Sequence, residues 1–358
     1  MATLTPTLQA PRPGETWLLL DSRGRGGIES HVLVLAGALR DHGLPVRVVF
    51  LAGYGAHPLA PALAAAGVPS STLAGGWRGL LAALRAAPPA QVHTHGYKAG
   101  LLGRTACRLL GVPVVSTFHS GDPGRGRVRL YDWLDRTSAP LAPALAVSDA
   151  IAARVRGPVR RVENFVTPPA APPRGAGTTV AFVGRLSHEK GPDLFCALAT
   201  ALPGVAFEIF GDGPLRAGLE RAHGDRVRFH GAVDDLARRW PGIGLLAMPS
   251  RHEGLPMAAL EALAHGVPVA AFAVGGLPDL LRAVENGWCV PAGDLAALAT
   301  ALGRWRALDG AARLRLARDA RASVTARFSP QAQLPLILAA YAESVRRTGR
   351  AASPLAAA

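Results

Sequence analysis

Short apolar runs alternate with stretches of helical period along almost the whole chain. In the first half WLLL (17–20), VRVVFLA (46–52), QVHTH (91–95), PVVSTFH (113–119) and PALAV (143–147) read as buried parallel strands. ESHVLVLAGALRDHG (29–43) and YKAGLLGRTACRLLG (97–111) read as helices, the second closed by a Gly. In the second half TVAFVG (179–184), AFEIFG (206–211), RVRFHG (226–231), GLLAMPS (244–250) and VPVAAF (267–272) repeat the pattern. Repeated strand–helix alternation predicts a doubly wound α/β fold, and 358 residues suit two such cores better than one. TPPAAPPRGAG (167–177) is the predicted linker between a domain at 16–166 and a domain at 178–330. Residues 1–15 read as a disordered leader, 331–348 as a terminal helix and 349–358 as a tail. Ligands of such sheets sit at the carboxyl ends of the strands, which directs attention to the residues following each run.

Pro249 to Leu281, PSRHEGLPMAALEALAHGVPVAAFAVGGLPDLL, is the most informative stretch. Glu253 and Glu261 stand eight positions apart, separated by the loop Gly254, Leu255, Pro256 and the start of a helix of good formers, MAALEALA. One carboxylate sits at the mouth of that helix and the other about two turns along it. A helix start suits an anionic ligand, so a carboxylate there is better explained as an acceptor for hydroxyls on a neutral part of it, such as a sugar. The competing reading is a capping residue and a solvated helix face.

The frame E-G-x-P…E-A-x-A…G-x-P-V…G-G-x-P resembles the retaining nucleotide-sugar glycosyltransferases of the GT-B fold, family 4, and the resemblance runs roughly from Trp17 to Ala340. It implies two Rossmann-like domains facing a cleft. The N-terminal one would take the acceptor, the C-terminal one the donor nucleotide, and the terminal helix would cross back onto the first domain. It also implies that Glu253 contacts the donor sugar and Glu261 the ribose hydroxyls, with Gly254, Leu255 and Pro256 in the donor site.

Further motifs fall at strand ends. Phe182-Val-Gly-Arg-Leu-Ser-His-Glu-Lys-Gly191 closes a strand, and its Arg185 and Lys190 offer a fork and a point charge to a diphosphate. The family places its diphosphate-binding pair in this pattern, beside Gly184; a solvated loop pair is the alternative. Gly24-Arg-Gly-Gly-Ile-Glu29 follows the first strand, where Gly26 and Gly27 let backbone approach a phosphate. It lacks the third glycine of the dinucleotide fingerprint and resembles the family's G-G-x-E, in which Glu29 has a role or simply caps its helix. Gly211-Asp-Gly-Pro214 and Gly231-Ala-Val-Asp-Asp235 are strand-end turns that line the nucleotide pocket in the family. Asp279 replaces the family's usual Glu after G-G-x-P, and Asn164-Phe165 departs from its Asn-Gly. His93, His95 and Lys98 are acceptor-side candidates, and His119, at the family's F-H-S position, is a catalytic candidate with Glu253, Arg185 and Lys190. Satisfied core histidines are the competing reading, and metal binding by His93 and His95 ranks lower still.

Charge narrows the partners. The formal net charge is +14; residues 1–170 carry 18 Lys and Arg against 9 Asp and Glu, and the remainder 21 against 16, so the excess sits in the first half. Such a chain favours anionic partners, yet no nucleic-acid motif is present and nucleic acid is excluded. Only Lys98 and Lys190 among the 39 basic residues are lysines, which singles out both. Arg125 to Arg136, with Tyr131 and Trp133, is a candidate contact with an anionic membrane or a helix that turns its aromatics inward, Asp132 and Asp135 weighing against a strong basic face. Cys107, Cys196 and Cys289 have no metal or disulfide spacing and are expected to be small buried hydrophobes in a reduced, cytoplasmic protein. The leader lacks signal-peptide character, and no apolar run spans a membrane; a peripheral position on its inner face remains open.

The expected activity is transfer of a sugar from a nucleotide-diphosphate sugar, UDP-linked by preference, to a glycan, lipid- or polyprenyl-linked, or small-molecule hydroxyl. No cofactor is expected, and the absence of Asp-x-Asp argues against a metal at the diphosphate. A nucleotide-sugar epimerase and a catalytically silent sugar-nucleotide-binding protein are the alternatives.

Overall fold

The computed structural model describes residues 11–24, 26–119, 126–173, 175, 177–233, 236–282 and 286–349. Of the segments singled out above, Arg125, Asp234, Asp235, most of the expected leader and nearly all of the tail lie outside the described residues. The chain divides into two compact units. Unit 1 runs to Glu163 and resumes at Pro330; unit 2 is Asn164–Ser329.

Unit 1 holds strands β1 (Thr16–Leu20), β2 (Val46–Phe50), β3 (Ser70–Thr72), β4 (Gln91–His95), β5 (Val114–Phe118), β6 (Ala144–Ala146) and β7 (Val159–Arg161). Between them lie α1 (Gly27–Asp41), α2 (Ala60–Ala65), α3 (Gly76–Ala86), α4 (Tyr97–Leu110), α5 (Arg127–Thr137) and α6 (Asp149–Ala152). The sheet is parallel with order β3-β2-β1-β4-β5-β6-β7, so the connections reverse direction between β1 and β4. Helices cover both faces, which is why every residue of β1, β2, β4 and β5 is buried and why these strands read as continuous apolar runs rather than alternating ones. His93 lies opposite Leu18 and Val115, and His95 opposite Leu20 and Thr117, at the carboxyl end of β4.

Unit 2 repeats the scheme with β8 (Thr179–Val183), β9 (Phe207–Phe210), β10 (Val227–Phe229), β11 (Ile243–Met248), β12 (Val269–Phe272) and β13 (Gly287–Val290), ordered β10-β9-β8-β11-β12-β13 and all parallel. Its helices are α7 (Pro192–Ala201), α8 (Arg216–His223), α9 (Met257–Ala264), α10 (Leu277–Arg282), α11 (Leu295–Ala307) and α12 (Gly310–Arg327). Phe182, Phe195, Phe207, Ile209, Leu245, Ala247, Leu298 and Trp305 form its core. Residues 167–173 of the predicted linker belong to this unit; the carbonyls of Pro169 and Ala171 accept from Arg321 on α12.

The terminal helix α13 (Pro330–Thr348) belongs to unit 1. It is tied there by polar contacts in the core: Ser344 Oγ donates to Gln91 at 2.6 Å, and Tyr341, fully buried, meets His93 at 2.9 Å. Among the described residues no helix is long and apolar enough to cross a membrane.

Two expectations about side chains change. Cys107 and Cys196 are buried, but Cys289 is exposed, because β13 is the edge strand of its sheet. On α5 the aromatics do not turn inward: Trp133 is 59% exposed and Tyr131 38%, beside an equally outward Leu130, whereas Asp132 and Asp135 are buried. The reason is Arg104, a fully buried side chain on α4 that reaches Asp135 at 2.6 Å, Ser116 at 2.8 Å and Ser138 at 2.8 Å. Gly100 leaves room for this pair, since a Cβ there would lie 2.2 Å from the Asp135 carboxylate. Asp132 is taken up in turn by Arg136 at 2.8 Å. The acids that spoke against a basic face are thus consumed internally.

A second buried pair pins the far edge of the same sheet. Arg47 on β2 is fully buried and meets both oxygens of Glu15, at 2.7 and 2.9 Å, and Ser71 on β3 at 3.0 Å. Burial pushes the Glu15 carboxyl up, but the Arg47 guanidinium outweighs it and holds the group below its ordinary range. A carboxyl lowered on folding stabilises above its unfolded value, and this contribution disappears as pH falls through the folded value. Glu15→Gln should therefore destabilise unit 1 by about 3–5 kcal/mol at neutral pH, because it strands a buried guanidinium. The loss should shrink in acid, where the wild-type carboxyl is itself protonated. Denaturant unfolding at several pH values checks this; a neutral-pH cost under ~1 kcal/mol would contradict it.

Candidate active site

In unit 2 the loop after β11 is stitched to the loop after β8. The amide of Arg251 donates to the Glu189 carbonyl at 2.8 Å, and the Arg251 guanidinium donates to the His188 carbonyl at 2.9 Å. The same guanidinium grips Asp193, in the first turn of α7, with bonds of 2.9 and 2.6 Å, and this pairing holds the Asp193 carboxyl below its usual range. Two glycines permit the approach. Gly191 has φ +69° and a Cβ on it would lie 2.1 Å from the Pro249 carbonyl oxygen; Gly275 has φ +57° and a Cβ on it would lie 2.2 Å from the Glu253 carbonyl oxygen. The Gly276 amide then donates to the Gly254 carbonyl at 2.7 Å. The H-E-K-G and G-G-x-P patterns are thus backbone supports on either side of the E-G-L-P loop.

This stitching brings together two residues from motifs 63 positions apart. Lys190 Nζ lies 2.7 Å from Glu253 Oε2, and Ser250 Oγ donates to Glu253 Oε1 at 2.8 Å. The Glu253 side chain is 2% exposed, whereas that of Lys190 is 31% exposed. Glu253 does not cap α9; Pro256 stands at that position and gives no side-chain cap. Glu261 lies within α9, half-buried and with an interaction partner. Leu255 and Pro256 are buried, and the Leu255 carbonyl accepts from the buried Asn164 side chain at 2.7 Å. Phe165, where the family has Gly, is fully buried. Arg185 is exposed. The Gly184 amide donates to the Phe210 carbonyl at 3.0 Å and the Gly211 amide to the Gly231 carbonyl at 2.8 Å, so both glycines lie at the carboxyl edge of the sheet.

In unit 1, Gly27 opens α1 and Gly26 is its N-cap, with Glu29 in the first turn. Lys98 is held by Asp21 at 2.9 Å, and this bond raises its pKa; Tyr54 also donates to Asp21. The histidines form one cluster. His93 is held on both sides, by Tyr341 at 2.9 Å and Thr117 at 2.7 Å. Burial depresses its pKa to about 3. His95 Nδ1 and His119 Nε2 are 3.0 Å apart. Both are held well below the ordinary imidazole value, by burial first and then by neighbouring histidines.

His31, from α1, completes the cluster, its ring 4.7 Å from that of His119 and 5.5 Å from that of His95. It was absent from the candidates drawn from sequence. The signal was present: His31 is two residues beyond Glu29, at a helix start that follows a strand. Ser250, Asp193 and Arg251 were missed as well.

Sequence comparison matches residues 177–306 to the family described as Glycosyl transferases group 1, and residues 25–172 to Glycosyltransferase Family 4. A 2-deoxystreptamine glucosyltransferase of Streptomyces kanamyceticus is 31% identical over 264 residues, 60% of this chain and 67% of that protein. A 2-deoxystreptamine N-acetyl-D-glucosaminyltransferase of Streptomyces fradiae is 41% identical over 35% of this chain, and a D-inositol 3-phosphate glycosyltransferase of Mycobacterium marinum 36% identical over 46%. The match spans only 32% and 38% of the length of those two relatives. Among solved structures, the Anabaena HepE protein in complex with UDP aligns with TM-score 0.75 at 19% identity, covering 92% of this chain and all of that one. The sucrose-phosphate synthase of Thermosynechococcus elongatus aligns with TM-score 0.77 at 21% identity, covering 93% of this chain and all of that one. The fold is that of the GT-B proteins.

The glycine supports can be tested apart from any activity. Gly275→Ala should destabilise unit 2 by more than Gly293→Ala in denaturant unfolding. Both positions have positive φ, +57° and +81°, which costs a side chain about 1–3 kcal/mol, but only Gly275 has backbone within reach of the added Cβ. Equal losses would show that the E-G-L-P loop does not lean on Gly275.

Proposed function

From the premise that the chain belongs to glycosyltransferase family 4, we propose that it transfers a hexose from a nucleotide-diphosphate sugar, UDP-linked, to a hydroxyl of a small polyhydroxylated acceptor, with retention at the anomeric carbon. The observation that carries this reading is the Lys190–Glu253 pair. An ammonium has three donors; one is spent on Glu253, so two remain for oxygens of a diphosphate. Glu253, fixed by Lys190 and Ser250, keeps lone pairs free to accept from sugar hydroxyls. One preorganised group thereby serves the leaving group and its neighbour the sugar.

On this reading Arg185 and Lys190 stabilise the charge that grows on the diphosphate as the glycosidic bond breaks. The acceptor oxygen attacks from the same face, and its proton passes to an oxygen of the departing phosphate. Glu261 accepts from the ribose. The acceptor lies on the unit 1 side, where His119 is a group for a hydroxyl. The two Streptomyces relatives are named for 2-deoxystreptamine and the mycobacterial one for inositol 3-phosphate, which favours a cyclitol-like acceptor.

A second reading of the acceptor rests on α5. Leu130 and Trp133 face outward beside Arg129, with the acids of the helix buried. A surface of this kind suits an anionic bilayer and a lipid-linked acceptor.

Lys190→Ala should lower turnover about a hundredfold or more, and Lys190→Arg should restore only part of it, since a planar fork does not replace a compact ammonium. Near-normal turnover in folded Lys190→Ala removes the diphosphate role. Titration calorimetry with UDP divides the carboxylates: Glu261→Ala should weaken UDP, and Glu253→Ala should leave it nearly unchanged while impairing transfer. Equal loss in both variants contradicts that division. Flotation with phosphatidylglycerol vesicles decides the second reading. Binding at low salt that weakens in Leu130→Ser/Trp133→Ser supports it, and failure of the wild-type protein to bind removes it.

A further inference from the structure

We propose that His31, His95 and His119 form a binding site in unit 1 for one borderline divalent transition ion of the zinc class. Three elements contribute: α1 supplies His31, the last residue of β4 is His95, and His119 follows β5 directly. Each ring offers a nitrogen, and the three nitrogens lie within 4.8 Å of one another.

The ring arrangement is that of ligands around a common point. Nitrogens at 2.0–2.1 Å from a tetrahedral zinc lie about 3.3 Å apart, which puts the ring centroids about 5 Å apart. Here the centroids are separated by 4.7, 5.3 and 5.5 Å, and the nearest nitrogens of His95 and His119 by 3.0 Å. In the ion-free protein those two nitrogens share one proton. An ion takes its place, and the proton moves to the other nitrogen of its ring or to solvent.

The surroundings favour a cation that binds neutral imidazole. Three imidazoles and no carboxylate select zinc, cobalt or nickel over magnesium and calcium. His93 is not a ligand, because Tyr341 and Thr117 occupy both its nitrogens; it packs 4.3 Å from the His95 ring and fixes its plane. His119 is half-buried and gives the ion its way in. Three protein ligands leave a fourth position open.

The test uses the full-length protein, stripped with EDTA, dialysed and titrated with Co²⁺. The expected result is an intense visible d–d spectrum of tetrahedral type that saturates at one equivalent and is abolished by Zn²⁺. His31→Gln and His119→Gln should each weaken Co²⁺ binding at least tenfold, on the scale of disturbing a metal's ligand set. His42→Gln, at an exposed histidine outside the cluster, should leave the spectrum unchanged. His119 is the less buried position, so that variant serves if His31→Gln fails to fold. A weak octahedral spectrum, no saturation, or an unchanged spectrum in either folded cluster variant overturns the proposal.

Discussion

The Glu253 carboxylate is taken almost wholly out of water, and this is tolerable only because Lys190 and Ser250 meet its two oxygens. The remainder of the donor-side architecture exists to keep those three groups in place. The loop after β8 carries Lys190, and the loop after β11 carries Ser250 and Glu253. Lys190 sits in a single 3-10 turn, His188–Lys190, and the two loops are joined through Arg251, whose amide and guanidinium bind the 188–189 carbonyls and Asp193. Gly191 and Gly275 let the flanking backbones close to contact. A charge pair held in this way needs little reorganisation when an anionic ligand arrives, which is what electrostatic stabilisation of a leaving group requires.

Unit 1 follows a different rule. The ends of β4 and β5 present neutral, desolvated imidazoles, and the buried pairs Arg47 with Glu15 and Arg104 with Asp135 are consumed in holding the sheet edge and α5. The terminal helix contributes Tyr341 and Ser344 to the same core, so residues near the end of the chain help fix the plane of His93 near its beginning. The excess of arginine in this half therefore includes internal fasteners as well as surface charge.

The regular strands were readable because helices bury both faces of each sheet and leave long apolar runs. The strands that escaped notice, Ser70–Thr72, Val159–Arg161 and Gly287–Val290, are short edge or near-edge strands whose residues are only partly buried, so they carry little apolar signal. The E-G-L-P frame was legible, and so were Arg185, Lys190 and the histidines as separate motifs. Their pairing was not. Lys190 and Glu253 meet through a guanidinium–carboxylate clamp between Arg251 and Asp193 that neither motif hints at. His31 was hidden by the same logic: a lone histidine on an amphipathic helix reads as ordinary until the sheet brings β4 and β5 beside it. The outward turn of Trp133 depended on Arg104, 29 positions away, drawing Asp135 inward.

The stereochemistry of the product decides whether the Lys190–Glu253 pair serves a same-face transfer. The protein would be incubated with α-linked UDP-hexoses and a panel of cyclitol acceptors, and the anomeric proton coupling of the new glycoside read by NMR. An α-glycoside, formed with release of one UDP per bond, is the result expected of a same-face reaction at a preorganised Lys190–Glu253 site. A β-glycoside would mean that the acceptor attacks from the opposite face with the help of a general base, and would rule out the same-face reaction.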